Sequence, residues 1–117
     1  MNSIYKLLMT MVLLLSVSFA NAQIKNSTTE SVKINGNCSM CKKTIETAAN
    51  QKKVAQLNWD ENTKIATVTY DAKKTNINEI LKRVALAGYD SEKATAPDDV
   101  YNQLHGCCQY EREPNKQ

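Results

Sequence analysis

The chain has 117 residues and a formal net charge of +3, with 15 Lys and Arg residues against 12 Asp and Glu residues. This length predicts one small domain with a modest hydrophobic core. Because the basic residues are scattered and alternate with acidic ones, the charge predicts neither a nucleic acid nor an acidic surface as a partner.

The first 22 residues have the pattern of a secretory signal peptide. Lys6 supplies a positive charge, residues 7–20 are almost entirely apolar, and the small residues Ala20 and Ala22 form an A-x-A cleavage pattern. The apolar run is shorter than the roughly 20 residues that span a bilayer. We predict cleavage after Ala22, a periplasmic or secreted product and no stable membrane anchor; the alternative is an uncleaved anchor. Residues 23–29 are expected to form a flexible linker.

The first predicted elements are a strand and a helix. Residues 30–34 alternate, with Val32 and Ile34 on one face, which is typical of a short strand. A turn at residues 35–37 follows, and a helix is expected to begin near Cys41. Its apolar stripe consists of Cys41, Ile45, Ala48 and Ala49.

A hairpin and a second helix come next. Residues 54–59 and 64–70 alternate in polarity on either side of a polar turn, which predicts two antiparallel strands. Thr75 is the expected N-cap of the second helix, and Gly88 suits its C-terminal end. The apolar positions of this helix are Ile77, Ile80, Leu81 and Val84.

Residues 89–95 can supply a last short strand before Pro97. The order β-α-β-β-α-β predicts an α+β, ferredoxin-like sandwich, with two helices on one face of an antiparallel four-stranded sheet. We assign this domain to residues 30–95 and a short C-terminal extension to residues 96–117. After Pro97 the pattern favours one or two helical turns, and the polar residues 111–117 are expected to fray.

Cys38 and Cys41 are the strongest candidate site residues. Two cysteines separated by two residues can turn both sulfurs toward one point, and a helix N-terminus favours the thiolate form. Lys42 and Lys43 are expected to offset the negative charge of the thiolates. Thiolates are soft ligands that select soft ions such as Cu(I). Cu(I) and Hg(II) accept two sulfurs, whereas Zn(II) normally takes four ligands, so Cu(I) is the first choice, with Hg(II) and Zn(II) as alternatives.

An open, under-coordinated site also suits transfer of the ion. An incoming thiolate pair can attack the metal before the outgoing pair leaves, which a carrier requires and a structural site does not. The pattern therefore favours a metallochaperone. The sequence contains no Ser/His/Asp set, no paired carboxylates and no Gly-rich phosphate loop, so an enzyme is not expected.

The segments at residues 32–46 (VKINGNCSMCKKTIE) and 85–90 (ALAGYD) resemble the heavy-metal-associated domain family. That family includes bacterial copper chaperones, the amino-terminal modules of copper-transporting ATPases and the periplasmic mercury-binding protein. The resemblance implies metal ligation by Cys38 and Cys41 and places Tyr89 in the loop that faces the metal. It also implies a periplasmic role and a partner with its own exposed Cys or Met site, such as a metal-transporting ATPase or an efflux protein.

The chain departs from the family pattern at one position. The family often has Met two positions before the first cysteine, tucked under the metal loop, and this chain has Gly36 there. This difference bears on the rigidity of the loop more than on ligation. Met40, between the two cysteines, is either an extra weak ligand or an exposed spacer.

Three alternatives to a copper carrier fit the Cys38 and Cys41 pair. An exported chain with an even number of cysteines first suggests disulfides, although a bridge across two residues closes too small a loop to constrain the unfolded chain. A thiol-disulfide oxidoreductase is the second alternative, because the same motif beside a β-α-β unit suits a thioredoxin-like site. A mercuric ion-binding protein is a third alternative and follows from the family resemblance.

The extension gathers His105, Cys107 and Cys108 within four residues. These residues are either a second soft-metal site or extra ligands that fold back over the first site, since imidazole and thiolates suit Cu(I) or Zn(II). The alternative is structural, with one cysteine bridged elsewhere and His105 solvated. A disulfide between the adjacent Cys107 and Cys108 would close a strained ring. We expect a monomer, with a metal-bridged dimer as the alternative.

Overall fold

The computed structural model describes residues 24–112, so the predicted signal peptide lies outside the described residues, as do residues 113–117. The elements in chain order are β1 Ser27–Lys33, α1 Ser39–Ala49, β2 Ala55–Trp59, β3 Ile65–Asp71, α2 Ile77–Leu86, α3 Asp98–Asn102 and a 3₁₀ turn at Gly106–Cys108. None of the helices in residues 24–112 has the length and apolar composition that a bilayer crossing requires.

The three strands form one antiparallel sheet in the order β1-β3-β2, with β3 in the centre. Alternate residues of β2 and β3 are buried, as the period-two pattern predicted. β1 begins earlier than expected, because Ser27 already pairs with Asp71. Part of the segment that was expected to be a linker is therefore paired in the sheet.

Both long helices contribute buried side chains to one core that covers a single face of the sheet. Cys41, Ile45 and Ala49 of α1 are fully buried, and α2 buries the apolar positions predicted from its sequence. The strand residues of the same core are Val32, Ala55, Leu57, Trp59, Ala66, Val68 and Tyr70. The α+β class and the two-helix layer are thus confirmed.

The two helices are also joined at a helix end. Arg83 of α2 donates from Nε to the carbonyl of Ala48 at 3.2 Å and from Nη2 to the carbonyl of Ala49 at 2.8 Å. A cation at a helix C-terminus satisfies free carbonyls and complements the helix dipole. Arg83 therefore fixes the end of α1 opposite to the one that carries the cysteines.

The N-cap of α2 is Asn76 and not Thr75. The Asn76 side chain accepts a hydrogen bond from the backbone N–H of Glu79 at 2.9 Å, which is the standard capping arrangement. Thr75 instead donates its hydroxyl to the Glu79 carboxylate at 3.0 Å. The expected cap was therefore one residue too early.

The predicted fourth strand is not formed within residues 24–112. Residues 89–95 make one isolated antiparallel bridge, between Ile34 and Ser91, beside β1 where a fourth strand would lie. The backbone turns away at once, since Ser91 N–H bonds to the carbonyl of Ala94 at 2.8 Å and Ala96 N–H bonds to Asp90 Oδ1 at 2.7 Å. Within the described residues the sheet therefore has three strands and not the four that were predicted.

Candidate metal site

The start of α1 positions the two cysteines of the motif. Cys38 is the N-cap, with extended backbone angles, and its carbonyl accepts the first helical hydrogen bond from Lys42 N–H at 3.1 Å. Cys41 is in the first turn and is fully buried, whereas Cys38 is partly exposed. Their sulfurs are 3.4 Å apart, so the motif does direct both thiols to one point.

The loop that precedes Cys38 is supported by Trp59. A Cβ atom on Gly36 would lie 3.0 Å from two ring carbons of Trp59 and 3.3 Å from Ile45 Cδ1. The indole N–H of Trp59 donates to the carbonyl of Ile34 at 2.9 Å. The tryptophan ring therefore occupies the space beneath the loop where a methionine at position 36 would have to fit.

The C-terminal extension brings both of its cysteines to the motif. Cys38 Sγ lies 3.5 Å from Cys107 Sγ and 3.8 Å from Cys108 Sγ, and the last two sulfurs are 3.9 Å apart. The sulfurs of Cys38, Cys41 and Cys108 all lie within 4.8 Å of one another. All four cysteines are free thiols. The structure thus corresponds to the arrangement in which the extension folds back over the first site.

His105 does not join this group in the structure. Its side chain is exposed, and the metal-capable cluster found within residues 24–112 contains cysteines alone. Cys108 is buried, whereas Cys107 is exposed. Cys107 is therefore the sulfur that solvent reaches most easily.

The thiols differ in acidity because their surroundings differ. Hydrogen bonds from the backbone N–H and the side chain of Cys41 lower the pKa of Cys38 from 9.0 to about 7. Burial raises the pKa of Cys108 to about 12, and hydrogen bonding to Cys38 raises the pKa of Cys107. Near neutral pH the negative charge therefore resides on Cys38 in preference to Cys107 and Cys108, which stay protonated.

Tyr89 lies against the same cluster. It is 1% exposed, and burial together with hydrogen bonding to Cys108 and Cys41 raises the pKa of its hydroxyl. The hydroxyl thus stays protonated and is available as a hydrogen-bond donor beside the sulfurs.

The lysines next to the motif have other contacts. Lys42 Nζ bonds to Glu46 Oε2 and the Trp59 carbonyl, each at 2.7 Å, and to Asn58 Oδ1 at 3.0 Å. These contacts hold α1 against the end of β2 and do not support a charge-balancing role for Lys42 at the thiolates. Lys43 is exposed, and its role stays a prediction.

Met40 is 49% exposed between the two cysteines. This exposure corresponds to the spacer alternative, and it leaves an apolar side chain on the surface beside the sulfurs.

Comparison with known proteins identifies the domain. The model of the heavy-metal-associated domain matches residues 31–90, just over half of the chain. The chain belongs to the heavy-metal-associated domain family. The resemblance seen in the sequence is therefore confirmed, and the match includes Cys38, Cys41 and Tyr89. Cys107 and Cys108 lie outside the matched residues.

A solved structure has the same fold as this heavy-metal-associated domain. The chain is similar to a CopZ metallochaperone at 23% sequence identity, with a TM-score of 0.51. The similarity covers 55% of this chain and 98% of that protein, so the whole relative corresponds to about half of this chain. A search of curated proteins found no match.

Sequence reasoning missed the contacts that dock the extension. Arg112 was expected to fray with residues 111–117, yet its guanidinium bonds to both carboxylate oxygens of the buried Asp90. The periodic apolar positions after Pro97 were a signal that this segment packs, but the pairing of Arg112 with Asp90 has no local sequence signal.

Proposed function

We propose that this protein is an exported carrier of one soft metal ion, Cu(I), which Cys38 and Cys41 bind and then transfer by thiolate exchange. The observation that carries the proposal is the pair of free thiols 3.4 Å apart at the first turn of α1 in a heavy-metal-associated domain. Soft thiolates select soft ions, and Cu(I) is stable with few sulfur ligands. Hg(II) is the alternative ion with the same preference.

The two cysteines have different roles in this proposal. Cys38 is partly exposed and has the lowered pKa, so it is the thiolate that first meets an incoming ion or an incoming partner sulfur. Cys41 is buried on the core side and supplies the second sulfur from a fixed position. Transfer proceeds when a partner thiolate binds the ion at the exposed side and one of these sulfurs leaves.

The partner in this proposal is a metal-transporting ATPase or an efflux protein that has an exposed Cys or Met site. Support comes from the heavy-metal-associated domain itself and from the fold shared with a protein described as a metallochaperone. The signal-peptide pattern of residues 1–22 supports export. An oxidoreductase is less well supported, because the β-α-β unit that favoured a thioredoxin-like site belongs to a heavy-metal-associated domain.

Anaerobic titration of the reduced chain, residues 23–117, with Cu(I) tests the proposal, with native mass spectrometry and competition by a chromophoric Cu(I) chelator. The wild-type chain should bind one ion, and a Cys38→Ser, Cys41→Ser variant should lose affinity by about a hundredfold or more, because loss of outer-shell partners alone costs 10–100-fold. Ser39→Ala, between the same two cysteines, is the matched control. Equal affinity of the double variant, or disulfide reductase activity without Cu(I) binding, would refute the proposal.

A further inference from the structure

The C-terminal extension is attached to the loop that follows α2 by a tyrosine. Tyr110 is 2% exposed, and its hydroxyl donates to the Gly88 carbonyl at 2.9 Å and accepts from Asp90 N–H at 2.8 Å. Its ring stacks on Tyr89 with centroids 6.0 Å apart and meets the Tyr101 ring edge-on at 5.0 Å. The same loop thus contacts both the thiol cluster and the extension.

Arg112 fastens the end of the extension. Its guanidinium bonds to Asp90 at 2.8 and 2.9 Å, to Asp98 at 2.7 Å and to the Ala96 carbonyl at 2.8 Å, and it lies over the Tyr101 ring. Asp90 is fully buried, and although burial acts to raise its pKa, Arg112 holds that pKa below its ordinary value. A buried carboxylate with a two-pronged arginine partner fixes the position of the chain between them.

These attachments place the 3₁₀ turn at Gly106–Cys108 over the start of α1. The four sulfur–sulfur distances given above run from 3.4 to 3.9 Å. One ion with tetrahedral metal–sulfur bonds of about 2.3 Å separates its sulfurs by about 3.8 Å. The sulfurs of Cys38, Cys41 and Cys108 already lie within 4.8 Å of one another, close to that spacing. Cys107 is in contact with Cys38 and Cys108 but lies outside this group of three, so it has to move toward Cys41 to complete a four-sulfur tetrahedron.

From this geometry we infer that Cys108 and Cys107 are the third and fourth ligands of a closed site, which accepts Zn(II) as well as a soft monovalent ion. The inference rests on the proposed function, since it adds ligands to the Cys38 and Cys41 pair. Two thiolates alone do not satisfy Zn(II), which takes four ligands. The buried Cys108 completes the inner side, and the exposed Cys107 is the ligand that a partner sulfur replaces first.

Zn(II) binding separates this inference from the proposed function. The reduced chain, residues 23–117, should bind one Zn(II) in competition with a metallochromic indicator. A Cys107→Ser, Cys108→Ser variant should lose Zn(II) affinity by about a hundredfold or more. Loss of a residue that only orients a ligand lowers metal affinity about 10–100-fold, and this variant loses two direct ligands. The same variant should keep one Cu(I) that depends on Cys38 and Cys41. The exposed His105→Ala is the matched control and should bind Zn(II) as the wild type does.

Co(II) in place of Zn(II) gives a second readout that does not depend on the buried Cys108. The exposed Cys107→Ser variant should lower the thiolate-to-Co(II) charge-transfer absorbance by about a quarter, because one of four thiolates is lost. Circular dichroism of each variant checks that it is folded. Unchanged Zn(II) affinity and an unchanged Co(II) spectrum in the folded variants would overturn the four-sulfur site. The proposed carrier would still stand in that case if Cu(I) binding is lost in the Cys38→Ser, Cys41→Ser variant.

Discussion

Cys38 owes its lowered pKa to hydrogen bonds from its own helix turn. The largest contribution is the backbone N–H of Cys41, and the thiol of Cys41 adds to it. The sequence indicated this through the position of the motif at a helix start. The inequality among the four thiols was not predictable, because it depends on the burial of Cys108 and on the contact between Cys107 and Cys38.

Alkylation of the metal-free, reduced protein should therefore distinguish the cysteines by pH. Only the thiolate reacts, so the rate at Cys38 should fall as the pH drops through about 7 and should reach its plateau at higher pH. Cys107 has a raised pKa and should react only at higher pH, which makes it the internal control for an exposed thiol. Peptide mapping by mass spectrometry after timed iodoacetamide treatment measures both rates. A Cys38 midpoint near 9 would contradict the assignment.

Gly36 stands where the family often has methionine, and the structure gives a reason for the glycine. A side chain there would meet the Trp59 ring at 3.0 Å, whereas a Cβ at Gly106 would meet no atom within 4 Å. The sequence showed that the methionine was missing, but the tryptophan that fills the space comes from β2, and the sequence placed that residue only in a predicted strand.

Gly36→Ala should consequently lower the free energy of unfolding by about 1–3 kcal/mol, the usual cost of overpacking a filled core. Gly106→Ala is the matched glycine control and should stay within about 0.5 kcal/mol of the wild type, as surface substitutions do. Urea denaturation followed by Trp59 fluorescence measures both. Equal stability of the two variants would mean that Trp59 does not fill the space under the loop.

At the level of elements, the local sequence patterns predicted the strands and helices well. The effect of residues that are distant in sequence could not be predicted from those patterns. The alternation of β2 and β3 and the apolar stripes of α1 and α2 are set by neighbouring residues, and the structure contains them nearly where they were placed. The sequence after Gly88, taken by itself, predicts a strand. In the fold, Tyr110 and Arg112 engage its backbone and Asp90, so a segment 20 residues away decides its conformation.

Arg112→Gln should weaken the attachment of the extension while leaving all four cysteines in place. The variant leaves the buried Asp90 without its guanidinium, and the 3₁₀ turn loses its fixed position over α1. Zn(II) affinity should fall by about tenfold or more, whereas Cu(I) affinity at the Cys38 and Cys41 pair should change much less. Lys93→Gln is the control, because Lys93 is an exposed cation in the segment that follows Asp90. Indicator competition with Zn(II) and chelator competition with Cu(I) on the same samples give the comparison, and an equal loss of both ions would argue against a separate role for the extension.

For the described molecule as a whole, the extension is part of the folded domain. Cys108 and Tyr110 belong to the same hydrophobic core as the two helices and the sheet. The family match ends at residue 90, so sequence comparison alone would place the domain boundary before the residues that complete the sulfur cluster.

Completion of the metal site by cysteines of the same chain also affects the oligomeric state. Ligands held on the same chain act at a high effective concentration, so an ion on Cys38 and Cys41 should take its further ligands from Cys107 and Cys108 and not from a second molecule. The wild-type protein should stay monomeric when Cu(I) is added, and the Cys107→Ser, Cys108→Ser variant should form a metal-bridged dimer. Light scattering coupled to anaerobic size exclusion measures this. A metal-dependent dimer of the wild type would contradict intramolecular closure.

X-ray absorption spectroscopy of the Cu(I)-loaded protein tests the central claim most directly, because it identifies the atoms bonded to the ion. The account predicts a ligand shell made of sulfur alone, which is lost or replaced by lighter atoms in the Cys38→Ser, Cys41→Ser variant. A shell dominated by nitrogen or oxygen in the wild type, or an unchanged sulfur shell in that variant, would contradict it.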